Sequence, residues 1–254
     1  MKIAIIYKDN QTSRDCAEYI KSSSGFDCVD LALAPQEIDL IVAIGGDGTT
    51  LKSVPYALRY NAPIVSVNTG NVGFLSAYSK DEINQFILDL KSNKLEYQDR
   101  IVLEVSFNGN NHYALNEVLI ERDHSSCQIA TFSFAINDEE SMVYSADGYL
   151  VATPTGSTAY SYSAGGSIIH PDSEVCIATA VCPRNRGANS IIFPSNKMVK
   201  ITVKSSQLPC GVFIDGIKCG ELIVNEAVTI KALLKKIKIV KTQNFLALLN
   251  KKIN

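Results

Sequence analysis

Apolar positions in the first hundred residues fall into short continuous runs separated by stretches with helical spacing. Ile3 to Tyr7, Leu40 to Ile44 and Ile64 to Val67 have the length and composition of strands buried on both faces, as in a parallel sheet. Between the first two, Thr12 to Ser23 sets Cys16, Ala17, Tyr19 and Ile20 on one helical face. A second helix is expected over Thr49 to Arg59, interrupted or kinked at Pro55, because proline lacks the backbone donor. Ser79-Lys-Asp-Glu82 has the form of a capping box, and Ile83, Phe86, Ile87 and Leu90 follow at helical spacing. Strand and helix alternating in this order predict a parallel sheet with helices packed on its faces.

Near residue 98 the period becomes two. Leu103, Val105 and Phe107 alternate with polar neighbours, Asn108-Gly109 supplies a hairpin turn, and Tyr113 to Ile120 returns. Phe132 to Ile136, Val199 to Val203, Val212 to Ile214, Val228 to Ile230 and Ile237 to Val240 continue the theme. The pattern predicts an α/β domain over residues 1–97 and a mostly β domain over 98–241, with a helical interruption around Ser157 to Ser163. A last apolar segment, Phe245 to Leu249 within 242–254, needs burial either back on the first domain or at its own end of the chain.

Composition narrows the function classes. With 46% hydrophobic and 20% charged residues over 254 positions, the chain is globular and long enough for a sizeable core. A net charge of −2 argues against a surface built to neutralise a nucleic-acid backbone. No stretch approaches the ~20 apolar residues of a membrane span, and Met1 to Ile6 lacks a signal-type apolar region, so a cytoplasmic protein without membrane or nucleic-acid partners is expected. Seven cysteines form no C-x-x-C pair, and His112, His124 and His170 show no metal-ligand spacing.

Four segments carry candidate chemistry. Gly45-Gly46-Asp47-Gly48-Thr49 follows a buried strand. Glycines there let backbone N–H groups approach a phosphate, and the carboxylate can bind a metal or take a proton; the alternative is a plain turn. Asn68-Thr-Gly-Asn-Val-Gly73-Phe74-Leu75 also follows a strand, where open α/β sheets bind ligands, although its glycines could merely turn the chain. Asn116-Glu117 interrupts an apolar strand with an amide beside a carboxylate, which suits paired ribose hydroxyls or an exposed position at a sheet edge. Asp147 to Gly166 is long, small and polar, and Thr153 to Tyr160 reads as a strand entering a glycine turn and a helix N-terminus, a seat for a nucleotide's polar groups.

Together these segments resemble the NAD kinase family, bacterial type. The correspondence covers Gly45 to Thr49, Asn68 to Leu75, Leu115-Asn-Glu-Val118, Asp147-Gly148, Thr153 to Tyr160 and Ser163-Ala-Gly-Gly166. The resemblance implies a Rossmann-like N-terminal domain and a β-rich, β-sandwich-like C-terminal domain. It implies transfer of a phosphoryl group from ATP or polyphosphate to the adenosine 2′-hydroxyl of NAD, forming NADP, in a homodimer or homotetramer. By that resemblance Asp47 is the catalytic acid-base residue, or holds magnesium beside the hydroxyl. Gly45, Gly46, Gly48 and Thr49 form the phosphate loop. NAD contacts are implied for Asp47, Gly48, Asn116, Glu117, Asp147, Thr155, Thr158, Ala159, Tyr160, Ser161 and Ser163, with Asn68, Gly73, Phe74 and Ser145 as peripheral candidates. The chain departs from the family at Ser145, where Lys or Arg is frequent, at Ile217, where Gln is frequent, and at Cys127, where some members carry a polar residue. Rival readings are a diacylglycerol- or sphingosine-type lipid kinase and a catalytically silent NAD-binding sensor.

Overall fold

The computed structural model describes residues 1–33, 36–71, 73–137, 139–185, 188–241 and 244–253, the side chain of residue 253 excepted. Two compact units arise: Met1–Arg100 with Ile237–Asn254, and Ile101–Lys236.

Among the described residues the first unit holds a seven-stranded sheet. β1 (Lys2–Tyr7) lies between β2 (Asp27–Asp30) and β3 (Leu40–Gly45), and β4 (Ile64–Asn68) follows β3, all parallel. Helices α1 (Gln11–Ser24) and α3 (Ile83–Lys91) insert Ala17, Ile20, Ile83, Phe86, Ile87 and Leu90 into one apolar layer with Ile3, Val42, Val65 and Val67. Asn10 caps α1 by accepting the Ser13 N–H at 2.9 Å, and Gly25, at φ +75°, ends it in the left-handed conformation that glycine adopts without steric cost. Tyr19, expected on the apolar face, is instead 45% exposed, its hydroxyl donating to Asn84 Oδ1 at 2.7 Å. Alternation along β4 turns Ser66 to the other face, where Thr50 of α2 (Asp47–Tyr60) meets it at 2.7 Å. Helix α2 runs on through Pro55 and begins at Asp47, earlier than the expected Thr49.

One strand changes domain relative to the sequence-based expectation. Ile237–Val240 pairs in parallel with β4 and antiparallel with Tyr97–Arg100, so the first unit ends at Arg100 rather than residue 97 and resumes at Ile237 rather than 242. Period-two spacing reports that a segment is a strand and says nothing of its partner, which explains the misassignment. Helix Phe245–Ile253 also belongs to this unit, where the Lys252 ammonium lies 5.3 Å from the Phe74 ring centre. Residues 242–243 and 254 of that terminal segment lie outside the described residues.

The second unit is a sandwich of two six-stranded antiparallel sheets among the described residues. Phe132, Phe134, Ile201 and Val105 from one sheet share a core with Ile120, Tyr149, Val151 and Val212 from the other, and the rings of Phe134 and Tyr149 lie 5.3 Å apart. The second sheet, centred on Gly148–Ala152 and Glu117–Glu121, is also covered on its outer face, where Leu119, Leu150, Ala152 and Ile177 pack against Ile169. Burial on both faces removes the alternation that marks a strand, so Gly148–Ala152 and Val175–Val181 escape a period-two reading. The strand expected to run on from Thr153 ends at Ala152. A 3₁₀ turn, Gly156–Thr158, and a single helical turn, Tyr160–Ser163, follow. No helix among the described residues is long and apolar enough to cross a membrane.

Candidate active site

The first unit builds its candidate site on the turn from β3 into α2. Gly46 is the N-cap and Asp47 the first helical residue, so the amides of Asp47 and Gly48 have no acceptor within the helix. A Cβ on Gly46 or Gly48 would project into open space, leaving the backbone accessible to a ligand. Gly45 admits no side chain, because a Cβ there would overlap Thr49. A cleft of about 510 Å³ opens beside the turn, lined by Tyr7, Lys8, Gly46, Gly48, Thr49 and Lys52 among others. Asp9 also lines the cleft but is paired with Arg14, so two lysines, exposed amides and the positive end of a 14-residue helix favour an anionic chain in it.

Asp47 is tied to the loop after β4. Its Oδ2 accepts the Phe74 N–H at 2.9 Å and its Oδ1 the Leu75 N–H at 3.2 Å, so each oxygen keeps a lone pair for another donor. Gly73 packs so closely that a Cβ would overlap the carboxylate. Asn68 accepts from Gly70 N–H through Oδ1, while its buried Nδ2 has no hydrogen-bond partner among the described residues. Val72 of this segment lies outside the described residues.

In the second unit Asn116 and Glu117 stand where one of the central strands begins. Glu117 is 7% exposed, and its Oε2 has no hydrogen-bond partner among the described residues. Burial, with the charge of Asp215 second, pushes its carboxyl up to about 8. Asp215 itself rises to about 6 through burial, against the opposing pull of three backbone N–H donors. Thr153 braces the pair from the other side: its Oγ1 donates to Leu115 O at 2.5 Å and its N–H to Asn116 O at 2.9 Å. A Cβ on Gly156 would overlap the Asn116 backbone.

The remaining candidates divide into groups. Burial, with the charge of Glu121 second, raises the Tyr160 hydroxyl above its ordinary value. Asp147 is held by Arg122, whose Nε donates to Oδ1 at 2.5 Å. Ser161 is buried, its Oγ without a partner among the described residues, and Thr155 is buried close by in the chain, whereas Ser163 is exposed. Thr158 Oγ1 donates to Thr155 O at 3.3 Å, and Ala159 precedes the helical turn. Ser145 meets Thr131 Oγ1 at 3.0 Å, a cross-strand contact that occupies its hydroxyl. Ile217 is 54% exposed, and Cys127 is exposed. Among the described residues no cluster of three or more His, Cys, Asp or Glu side chains is arranged to hold a metal.

Arg122, Lys8 and Lys52 lie outside the sequence motifs; Thr153 opens the Thr153 to Tyr160 segment and Asp215 precedes Ile217 by two positions, but neither is among the expected site residues. A signal for Asp215 is present: Asp-Gly between two apolar strands marks a two-residue hairpin, and both residues have positive φ, +48° and +80°.

Comparison with known proteins bears on the whole chain. Residues 8–94 match the ATP-NAD kinase N-terminal domain family and residues 115–242 the ATP-NAD kinase C-terminal domain family. The NAD kinase of Thermotoga maritima is 36% identical over 227 residues, covering 87% of this chain and 85% of the relative. That of Sulfurimonas denitrificans is 34% identical over 213 residues, covering 82% and 74%. In fold, the chain is similar to yeast NADH kinase solved with NADH, at a TM-score of 0.86, 24% identity and coverage of 100% of this chain and 87% of that one. It is also similar to an NAD kinase from Archaeoglobus fulgidus solved with ATP, at 0.80, 22% identity and coverage of 100% and 98%.

Proposed function

The chain belongs to the NAD kinase family, and on that footing we propose that it transfers the terminal phosphoryl group of ATP to the adenosine 2′-hydroxyl of NAD, with Asp47 as proton acceptor and Asn116 and Glu117 as the ribose-binding pair. The observation that carries this reading is the buried Glu117 carboxyl, whose Oε2 has no partner among the described residues. A buried polar atom without a partner costs free energy unless a ligand supplies one, and a ribose diol offers two hydroxyl donors. Asn116 adds an amide that both donates and accepts.

In the reaction the 2′-oxygen forms a bond to the terminal phosphorus of ATP, the bond from that phosphorus to the bridging oxygen of the departing ADP breaks, and the hydroxyl proton passes to Asp47. A secondary alcohol is almost fully protonated at neutral pH, so a positioned base contributes ~10²–10⁴-fold. Lys8, Lys52 and the glycine-turn amides are suited to the donor's phosphates, whether ATP or polyphosphate supplies them. Asp47 fits magnesium, which takes one or two carboxylates and completes its shell with water and phosphate oxygens. When bound, the ion neutralises charge on those phosphates. The same reading carries a cytoplasmic homodimer or homotetramer, which light scattering of the purified protein tests for assembly.

The direct test offers radiolabelled ATP with magnesium and, in separate reactions, NAD, diacylglycerol and sphingosine. Label is expected on NAD alone. Label on a lipid with none on NAD would establish a lipid kinase, and NAD binding without any transfer would establish a silent sensor.

A pH prediction follows from Glu117. With its carboxyl near 8, the free protein holds it protonated at pH 7, whereas two hydroxyl donors favour the ionised form. NAD binding at pH 7 should therefore release close to one proton, and affinity should rise with pH until it levels above about 8. Calorimetry in buffers of differing ionisation enthalpy reads the release, which Glu117→Gln should abolish. Binding with no proton exchange in the wild type would mean that Glu117 meets ribose as a neutral acid.

A further inference from the structure

Three consecutive backbone N–H groups, those of Leu115, Asn116 and Glu117, converge on one side chain about a hundred residues downstream. Leu115 N donates to Asp215 Oδ2 at 2.9 Å, and Asn116 N and Glu117 N donate to Oδ1 at 2.8 and 3.1 Å. Asp215 N–H returns a bond to Glu117 O at 3.0 Å. Successive amides turned toward one point form a concavity that an anion fills, and a carboxylate supplies the two acceptor oxygens this one uses. The hairpin makes the placement possible, because Asp tolerates the left-handed φ of +48° and Gly216 completes the turn at +80°.

On the reading that Asn116 and Glu117 bind ribose, we propose that Asp215 is a positioning residue for NAD, fixing the backbone of that pair through its three amide contacts. Regular pairing would not produce this conformation, since Asp215 takes amide donors at the start of a strand that elsewhere pairs with Cys210–Ile214. Thr153 works from the opposite side on the carbonyls of Leu115 and Asn116, so the segment is held through both its donors and its acceptors. The three Asp215 contacts are part-buried, and burial is the main cause that raises its carboxyl, so water replaces a lost acceptor only incompletely.

Asp215→Asn keeps the size but offers a single acceptor oxygen and turns an amide donor toward one of the N–H groups. The expected result is a rise of about tenfold in KM for NAD, with KM for ATP unchanged within about twofold. A merely structural role would shrink the active fraction, lowering kcat and leaving both KM values in place. In a Glu117→Gln background the same change should add less than about threefold, because the two residues act as one unit. Thr153→Val, which removes the hydroxyl holding Leu115 O, should raise KM for NAD in the same direction and carries the test if Asp215→Asn does not fold. A damaging Glu117→Gln beside Asp215→Asn or Thr153→Val with unchanged KM for NAD overturns this proposal alone. So do fully multiplicative effects in the double variant. A silent Glu117→Gln overturns the ribose-binding reading and this proposal with it.

Discussion

Asp47→Asn is expected to lower turnover by at least ~100-fold, the low end of what a positioned general base contributes, while NAD still binds. Asparagine keeps the size of the side chain but cannot take the 2′-hydroxyl proton, and any magnesium contact weakens with the lost charge. The structure adds a cost in stability. Both Asp47 oxygens accept backbone N–H groups, from Phe74 and Leu75, and asparagine would set an amide donor against one of them. One such lost bond is worth about 1 kcal/mol, which shifts the melting temperature by a few degrees without unfolding a protein of this size. Steady-state kinetics well below the melting temperature, with NAD binding read by calorimetry, separates the two effects. If the folded variant keeps turnover within about tenfold of wild type, Asp47 anchors the Phe74–Leu75 loop and another group assists the hydroxyl.

Glu117→Gln should separate function from stability in the opposite sense. Glutamine matches the neutral acid in shape and lacks the ionised state that burial disfavours, so the variant should fold at least as stably as wild type. In the complex, however, it offers ribose one acceptor oxygen where the carboxylate offers two charged ones. Charge-assisted hydrogen bonds are worth ~1.5–3 kcal/mol, so kcat/KM for NAD should fall by about 10- to 100-fold. Wild-type kinetics would return Glu117 to a buried acid with no part in ribose binding.

Much of this arrangement is legible in the sequence where the signal is local. The glycine turn after β3, the helical faces of α1 and α3 and the capping box before α3 are read from neighbouring residues, and each reappears in the fold. Interactions that depend on a distant partner are not. Asp215 is 98 residues from Glu117, and nothing in either neighbourhood states that one will receive the other's amide. Ile237–Val240 reads as one more β segment, yet it completes the parallel sheet of the first unit. Gly148–Ala152 and Val175–Val181 hide as strands because both faces are covered. Gly73 and Gly156 read as turn formers; their close packing against Asp47 and Asn116 is visible only in three dimensions.

Phosphorylation of NAD at the adenosine 2′-hydroxyl is decided by where the new phosphate sits. Purified protein incubated with NAD, ATP and magnesium should yield a product that a dehydrogenase specific for NADP reduces in full, with a phosphorus resonance of a 2′-monoester. A product that such a dehydrogenase ignores, or no phosphorylated dinucleotide at all, would rule out 2′-phosphorylation of NAD by this chain.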